Sequence, residues 1–292
     1  MKNWINGIPY EIAYWKGVYS YKKKIKNLFR WSHYNNEIEL INFDVKKFLS
    51  QKTNPLIIDA GCGMSYWNGD KLNGKQLNVC YIDPLATFFN KIIEKKKLDL
   101  PIITFGFIEY LSAFVPNKAS LIIVKNALDH CKNPLKGILQ CIESLEIGGV
   151  LYLQHFKNEA ITENYRGFHQ YNVSIENDEI IIWNKETKTS INSFVKDFAD
   201  TEASECENLV IAVITKTQNL TNSLIDYKED ILDLSNQYIE VIQNLHKVKF
   251  SISYHWDFFK FRLLQLFMQL FSWKTRQKMK KYLKKMTKYL RR

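Results

Sequence analysis

An α/β fold built on a mostly parallel sheet is predicted for this chain of 292 residues. Three observations predict it. Short apolar, β-branched runs alternate with helical stretches from residue 55 to about 155, which implies βα units with right-handed crossovers. The stretch 55–65 ends an apolar run on Asp59 and then carries two glycines one residue apart, Gly61 and Gly63. Another carboxylate, Asp83, closes the next apolar run. In an open parallel sheet, ligands gather at the carboxyl ends of the strands, where these residues fall.

Taken in order, residues 1–54 are rich in aromatics and lysine, with Trp4, Tyr10, Tyr14, Trp15, Tyr19, Tyr21, Phe29, Trp31 and Tyr34. They predict a helical cap at the mouth of the crevice or a helical layer on the core, and a helix from about 38 to 49. Strands are expected at 56–59, 77–83, 101–105, 120–125 and 149–155, with helices at 85–96 and 134–145. Beyond residue 172, strands are expected at 179–183, which also reads as an inserted hairpin, and at 209–215. A helix is expected between them at 190–199.

Composition narrows the class. The net charge is +11, but residues 274–292 carry ten basic residues and no acid, leaving +1 for the rest. The charge therefore reflects the tail and does not argue for nucleic acid binding by the body, so no nucleic acid partner is expected. Five scattered cysteines without a C-x-x-C pair read as reduced thiols. The first residues lack the apolar run of a secretory signal, and no stretch is long and apolar enough to span a bilayer. A cytoplasmic protein is the expectation.

The glycine turn restricts the ligand. A dinucleotide fingerprint needs a third glycine where Tyr66 stands. The run 59–65 instead resembles motif I of class I S-adenosylmethionine-dependent methyltransferases, with Ser65 at its third small position. Four further stretches fit this resemblance in order: Asp83-Pro84, residues 107–111, Asn126-Ala127-Leu128-Asp129-His130, and Gly148-Gly149. The resemblance covers roughly residues 50–215. It implies a Rossmann-like, mostly parallel seven-stranded sheet, here with an N-terminal helical cap (1–54), a cofactor-binding domain (55–218) and a C-terminal helical extension (219–292). It implies S-adenosyl-L-methionine as cofactor, held by Asp59, Gly61, Cys62, Gly63, Asp83, Pro84, Ile108, Glu109, Asn126 and Ala127. Asp83 alone would also suit the ribose of NAD.

Residues 155–160 and 164–172 narrow the resemblance to methyltransferases of bacterial capsule and surface-polysaccharide clusters, including those that make O-methyl phosphoramidate. That implies an O-methyltransferase acting on a sugar, phosphate or phosphoramidate group of a small precursor. The segment follows the fifth strand and is rich in hydrogen-bonding groups. Glu159, Tyr165, Arg166, His169 and Gln170 are the candidate substrate contacts, and Arg166 is suited to fork onto a phosphate. A hydroxyl acceptor needs a base, and histidine suits that task near neutrality. His130 is the first candidate, with His155 and His169 in reserve. Asp129, His130, His155, Glu159 and His169 could converge on a cation, but their spacing matches no metal motif, so no metal is expected. Two other classes stay open: an NAD-dependent oxidoreductase, and a non-catalytic membrane-associated assembly subunit.

The C-terminal part changes character. Leu224, Tyr227, Ile231, Leu234, Tyr238, Val241, Leu245 and Val248 step by three and four, which predicts a long helix on the domain surface or a coiled coil, a homodimer included. Residues 258–273 are apolar, and the basic tail places Met279, Tyr282, Leu283, Met286, Tyr289 and Leu290 on one stripe. Peripheral contact with anionic lipid at the inner face of the membrane, or a partner protein, is the expectation for this tail.

Overall fold

A computed structural model describes residues 5, 7–19, 34–66, 68–115, 118–220 and 228–244, together with 252, 255, 256, 259 and 263. The chain divides into two compact units, residues 1–15 with 31–243, and residues 16–30 with 244–292. In the second unit, the rings of Trp256 and Phe259 stack at 5.8 Å. The basic stripe and the seam positions Leu224, Tyr227, Leu245 and Val248 lie outside the described residues. Among the described residues, no helix is long and apolar enough to cross a membrane.

Helix α1 (Gly7–Tyr19) begins in the first unit, where its Ile8, Ile12 and Trp15 recur at helical spacing and are buried. Helix α2 (Val45–Ser50) is shorter than the expected 38–49. Asn42 adopts a left-handed conformation and Asp44 caps the helix, its Oδ1 accepting the Lys47 N–H at 3.0 Å, so the helix cannot begin earlier. Then come β1 (Leu56–Ala60), a small hairpin of β2 (Lys71–Leu72) and β3 (Lys75–Gln76), β4 (Asn78–Asp83), α3 (Ala86–Lys96) and β5 (Thr104–Phe105). A 3₁₀ turn (Ile108–Tyr110) leads into α4 (Leu111–Phe114), then β6 (Ala119–Lys125), a 3₁₀ turn (Leu128–His130), α5 (Pro134–Ser144) and β7 (Leu145–Phe156). Asn133 caps α5, with Pro134 in its first turn.

After α6 (Glu159–Thr162), strands β8 (Asn172–Glu176), β9 (Glu179–Trp183) and β10 (Lys188–Ser190) form a separate antiparallel sheet. The run 179–183 therefore belongs to an inserted hairpin and not to the main sheet. Asn177 and Asp178 both have positive φ, which gives the tight turn its fit to the twist of the strands. The next helix, α7 (Ile191–Val195), is half the expected length, because the chain becomes β11 (Ala199–Cys206) before β12 (Leu209–Lys216). Helix α8 (Lys228–Gln243) ends the unit and buries Leu234 and Tyr238 against it.

The main sheet has seven strands in the order β11-β12-β7-β6-β1-β4-β5. The pairs β1–β4, β1–β6, β4–β5 and β6–β7 are parallel, and β12 runs antiparallel to both neighbours. The order reverses between β1 and β6, so a crevice is placed beyond their carboxyl ends. One face packs Ile58, Ile82, Ile122, Leu151 and Ile142, and the other packs Ile57, Leu121, Ile123, Tyr152 and Leu49.

Candidate active site

Two structures meet beyond the reversal point. The first is the glycine turn. Gly61 has φ +70° and Gly63 φ +53°, conformations that side chains disfavour. A Cβ on Gly61 would lie 2.4 Å from Cβ of Ala127, so the turn after β1 and the loop after β6 are in close contact. The N–H groups of Gly61 and Cys62 donate to the Ile82 carbonyl, which ties the turn to the end of β4.

Asp83 organises this turn. Its Oδ2 accepts the Gly63 N–H at 2.9 Å and its Oδ1 accepts the Leu85 N–H at 2.8 Å. Burial pushes its carboxyl up to about 7, while those two hydrogen bonds pull the other way. Each oxygen keeps a lone pair for a hydroxyl, and Pro84 follows directly. Asp59, also buried, accepts from Asn68 Nδ2 at 2.9 Å. Burial raises Asp59 to about 6, and Lys125, at the end of β6, lowers it; the same burial brings Lys125 down to about 8.

Other expected cofactor contacts have structural partners of their own. Glu109 is buried, and its Oε1 accepts the N–H groups of Lys132 and Asn133 at 2.6 and 3.2 Å, fixing the approach to α5. Asn126, with φ +51°, accepts the Phe156 N–H on its side-chain oxygen. The Ile108 side chain lies 3.1 Å from where a Gly61 Cβ would be, and Ala127 closes the other side. Cys62 is buried, its thiol held well above the ordinary range by burial beside Asp83 and Asp59. At the position of the missing third glycine, Tyr66 is buried, its ring edge-on to Tyr81 at 4.9 Å and its hydroxyl donating to the Pro101 carbonyl at 2.8 Å.

The second structure is a cluster around Asp129. His169 Nδ1 lies 2.7 Å from Asp129 Oδ2. His130 Nε2 lies 3.2 Å from His169 Nδ1 and 3.6 Å from the same carboxylate oxygen. His155 Nδ1 is 3.8 Å from Asp129 Oδ1. Asp129 and His155 are almost wholly buried, and Asp129 Oδ1, both His155 nitrogens and Glu159 Oε2 have no hydrogen-bond partner. Burial acts to raise the Asp129 carboxyl, but the charge of His130, with the hydrogen bond and charge of His169, outweighs it and holds the group low. Burial alone would lower His169; the hydrogen bond and charge of Asp129, with Glu159 and Glu11, carry it up to about 9. His155 is pushed down to about 4 by burial and stays neutral. Glu159 is raised by burial and by Asp129.

The remaining loop residues shape the segment, and the Gln170 N–H donates to the Asp129 carbonyl at 3.4 Å. Gln170 Nε2 donates to the carbonyls of Tyr165 and Gly167. The Tyr165 hydroxyl accepts from Asn172, and Lys185 sits 4.5 Å over its ring. Arg166 is half exposed and engages Glu163.

Helices α1 and α8 supply residues that the sequence did not single out as site residues. The Trp15 ring lies against Gly63, 2.7 Å from where its Cβ would be, with its Nε1 donating to Glu11 at 2.7 Å. Gly7 abuts Phe168, which packs against His130 at 5.6 Å and stacks on Tyr238 at 6.5 Å. The signal for Trp15 is the helical spacing of Ile8, Ile12 and Trp15; Glu11 carries no comparable mark.

No protein-family model and no curated protein matches this sequence. Similar solved structures include an S-adenosylmethionine-dependent methyltransferase from Clostridium acetobutylicum ATCC 824 (12% identity, 59% of this chain and 91% of that one, TM-score 0.40). Others are one from Aquifex aeolicus (15%, 60% and 90%, 0.38) and the N-methyltransferase NodS from Bradyrhizobium japonicum WM9 with S-adenosyl-L-homocysteine (11%, 60% and 84%, 0.38). Likeness at these identities and TM-scores carries nothing about ligand or reaction. The fold stands on the strand order.

Proposed function

We propose that this chain is an S-adenosylmethionine-dependent O-methyltransferase. The observation that carries the reading is the contact between the glycine turn and the loop bearing Asp129 and His130. It sets a buried ribose-type carboxylate, Asp83, and a histidine–aspartate cluster on one crevice. The donor set suits the cofactor. Asp83 retains lone pairs for two hydroxyls, Gly61 and Gly63 hold the left-handed turn beside it, and Asp59 is an acid suited to an ammonium group. When bound, the cofactor supplies an activated methyl group on sulfur.

The chain's own part is then alignment and charge placement. His130, with its ring partly open, takes the proton of a hydroxyl acceptor. His169, charged near neutrality beside Asp129, instead neutralises an anionic acceptor or the developing charge. The acceptor class is a sugar hydroxyl or a phosphate-type oxygen of a small precursor. The polar segment 155–172 supports it, together with the resemblance of that segment to enzymes of capsule and surface-polysaccharide clusters. Binding of NAD is disfavoured by the sequence, which carries Tyr66 where the dinucleotide fingerprint needs a third glycine.

The test is transfer of a labelled methyl group from S-adenosylmethionine to a panel of sugar phosphates, nucleotide sugars and free sugars. Label on one acceptor class with wild type, and its loss in Asp129→Asn and His130→Gln, is expected. Uniform absence of label, with hydride exchange from NADH instead, overturns the reading.

A further inference from the structure

We propose that Asp129, His130 and His169 form a binding site for a divalent first-row transition-metal ion, with open positions for vicinal oxygens of the acceptor. The acceptor's place rests on the methyltransferase reading; cation binding does not. Asp129 Oδ2, His130 Nε2 and His169 Nδ1 form a triangle with edges of 2.7, 3.2 and 3.6 Å. Ligands on one face around an ion with bonds of about 2.1 Å stand about 3.0–3.4 Å apart, so the triangle matches such a face with small adjustments. One carboxylate and two imidazoles suit Mn²⁺, Fe²⁺, Co²⁺ or Zn²⁺ better than Mg²⁺ or Ca²⁺.

Protons alone serve this arrangement poorly. His169 Nδ1 carries at most one hydrogen, yet it faces both the carboxylate oxygen and the nitrogen of His130. A cation at the centre is met by one lone pair from each of the three atoms.

A second observation points to the same place. His155 is almost wholly buried, and neither of its ring nitrogens has a hydrogen-bond partner. Its Nδ1 lies 3.8 Å from the oxygen of Asp129 that also has no partner. Buried polar groups are rarely left so, and metal-ligating carboxylates are commonly held by an outer hydrogen bond. A small closure would let His155 donate to Asp129 while its other oxygen ligates. Glu159 Oε2, on α6, is also buried and without a hydrogen-bond partner. With an ion bound, His130 and His169 would be neutral ligands, neither base nor cation, and the acceptor hydroxyl, made more acidic by the ion, would lose its proton to water.

The test is titration of Co²⁺ into the full-length protein after chelator treatment, followed by visible d–d absorption and by Mn²⁺ competition. One equivalent with visible d–d bands, displaced by Zn²⁺ or by an excess of Mn²⁺, is expected. Asp129→Asn and His169→Gln, each checked for native circular dichroism, should weaken binding more than the roughly 10–100-fold of an outer-partner change, and His155→Gln by about that amount. No absorption, or equal binding by wild type and an Asp129→Asn/His130→Gln/His169→Gln variant, overturns the proposal. If S-adenosylhomocysteine binds the chelated chain while Co²⁺ does not, the cation site falls and the methyltransferase reading stands; the reverse pattern separates them the other way.

Discussion

His169 Nδ1 lies 2.7 Å from Asp129 Oδ2, although forty residues of chain separate them. The contact joins the loop after β6 to the segment that follows β7, and it leaves an ionised carboxylate buried beneath two imidazoles. A carboxylate so placed sets the charge and tautomer of its histidines. Asp129→Asn should therefore lower kcat for methyl transfer about 10²–10⁴-fold. Its dissociation constant for S-adenosylhomocysteine should stay within a few-fold of wild type. Steady-state kinetics beside calorimetry checks both; unchanged kcat contradicts the role.

Asp83 gives a pH signature. Burial holds its carboxyl near 7, with Glu11 and Asp59 adding to the rise. Only the ionised form accepts two ribose hydroxyls. Affinity for S-adenosylhomocysteine should rise about tenfold from pH 6 to pH 8, because the protonated fraction falls through that window. Asp83→Asn should bind weakly and with a flat profile. A profile that falls with pH in wild type contradicts the assignment.

The two glycines with nearly equal φ make a controlled comparison. Gly74, at +75°, has open space at its Cβ position; Gly61, at +70°, has Ala127 at 2.4 Å. Gly74→Ala should cost about 1–2 kcal/mol for the left-handed backbone alone. Gly61→Ala should cost roughly 1–3 kcal/mol more from overpacking, and should abolish cofactor binding. Urea unfolding of both variants measures the difference.

Trp15 covers the glycine turn, so the ring and a ligand compete for the same face. Trp15→Phe should remove most of the tryptophan fluorescence change seen on adding S-adenosylhomocysteine. Trp15→Ala should tighten binding about threefold or more, since a covering ring reduces the competent population. Weaker binding by Trp15→Ala would show the ring to be a wall of the site.

Much of this arrangement is legible in the sequence, for physical reasons. Runs such as 121–124 are buried on both faces and therefore uniformly apolar, and Asp59 and Asp83 stand out because a carboxylate is costly at the end of such a run. The meeting of Asp129, His130, His155, Glu159 and His169 could be anticipated, since all of them lie at or beyond the carboxyl ends of the neighbouring strands β6 and β7. Its tightness could not, because a triangle with a 2.7 Å edge depends on how the 157–171 segment folds back. β11 escapes because it is an edge strand rich in polar residues, with Asp200, Glu202 and Ser204 at alternate positions and Glu205 beside them. Helix α8 hides its role for another reason: Tyr238 meets Phe107 at 5.1 Å through a contact well over a hundred residues long.

The most direct measurement is calorimetric titration of the full-length protein with S-adenosylhomocysteine and, separately, with NAD. The account predicts one site for S-adenosylhomocysteine, lost in Asp83→Ala, and no heat with NAD. Saturable binding of NAD with none of S-adenosylhomocysteine would contradict it.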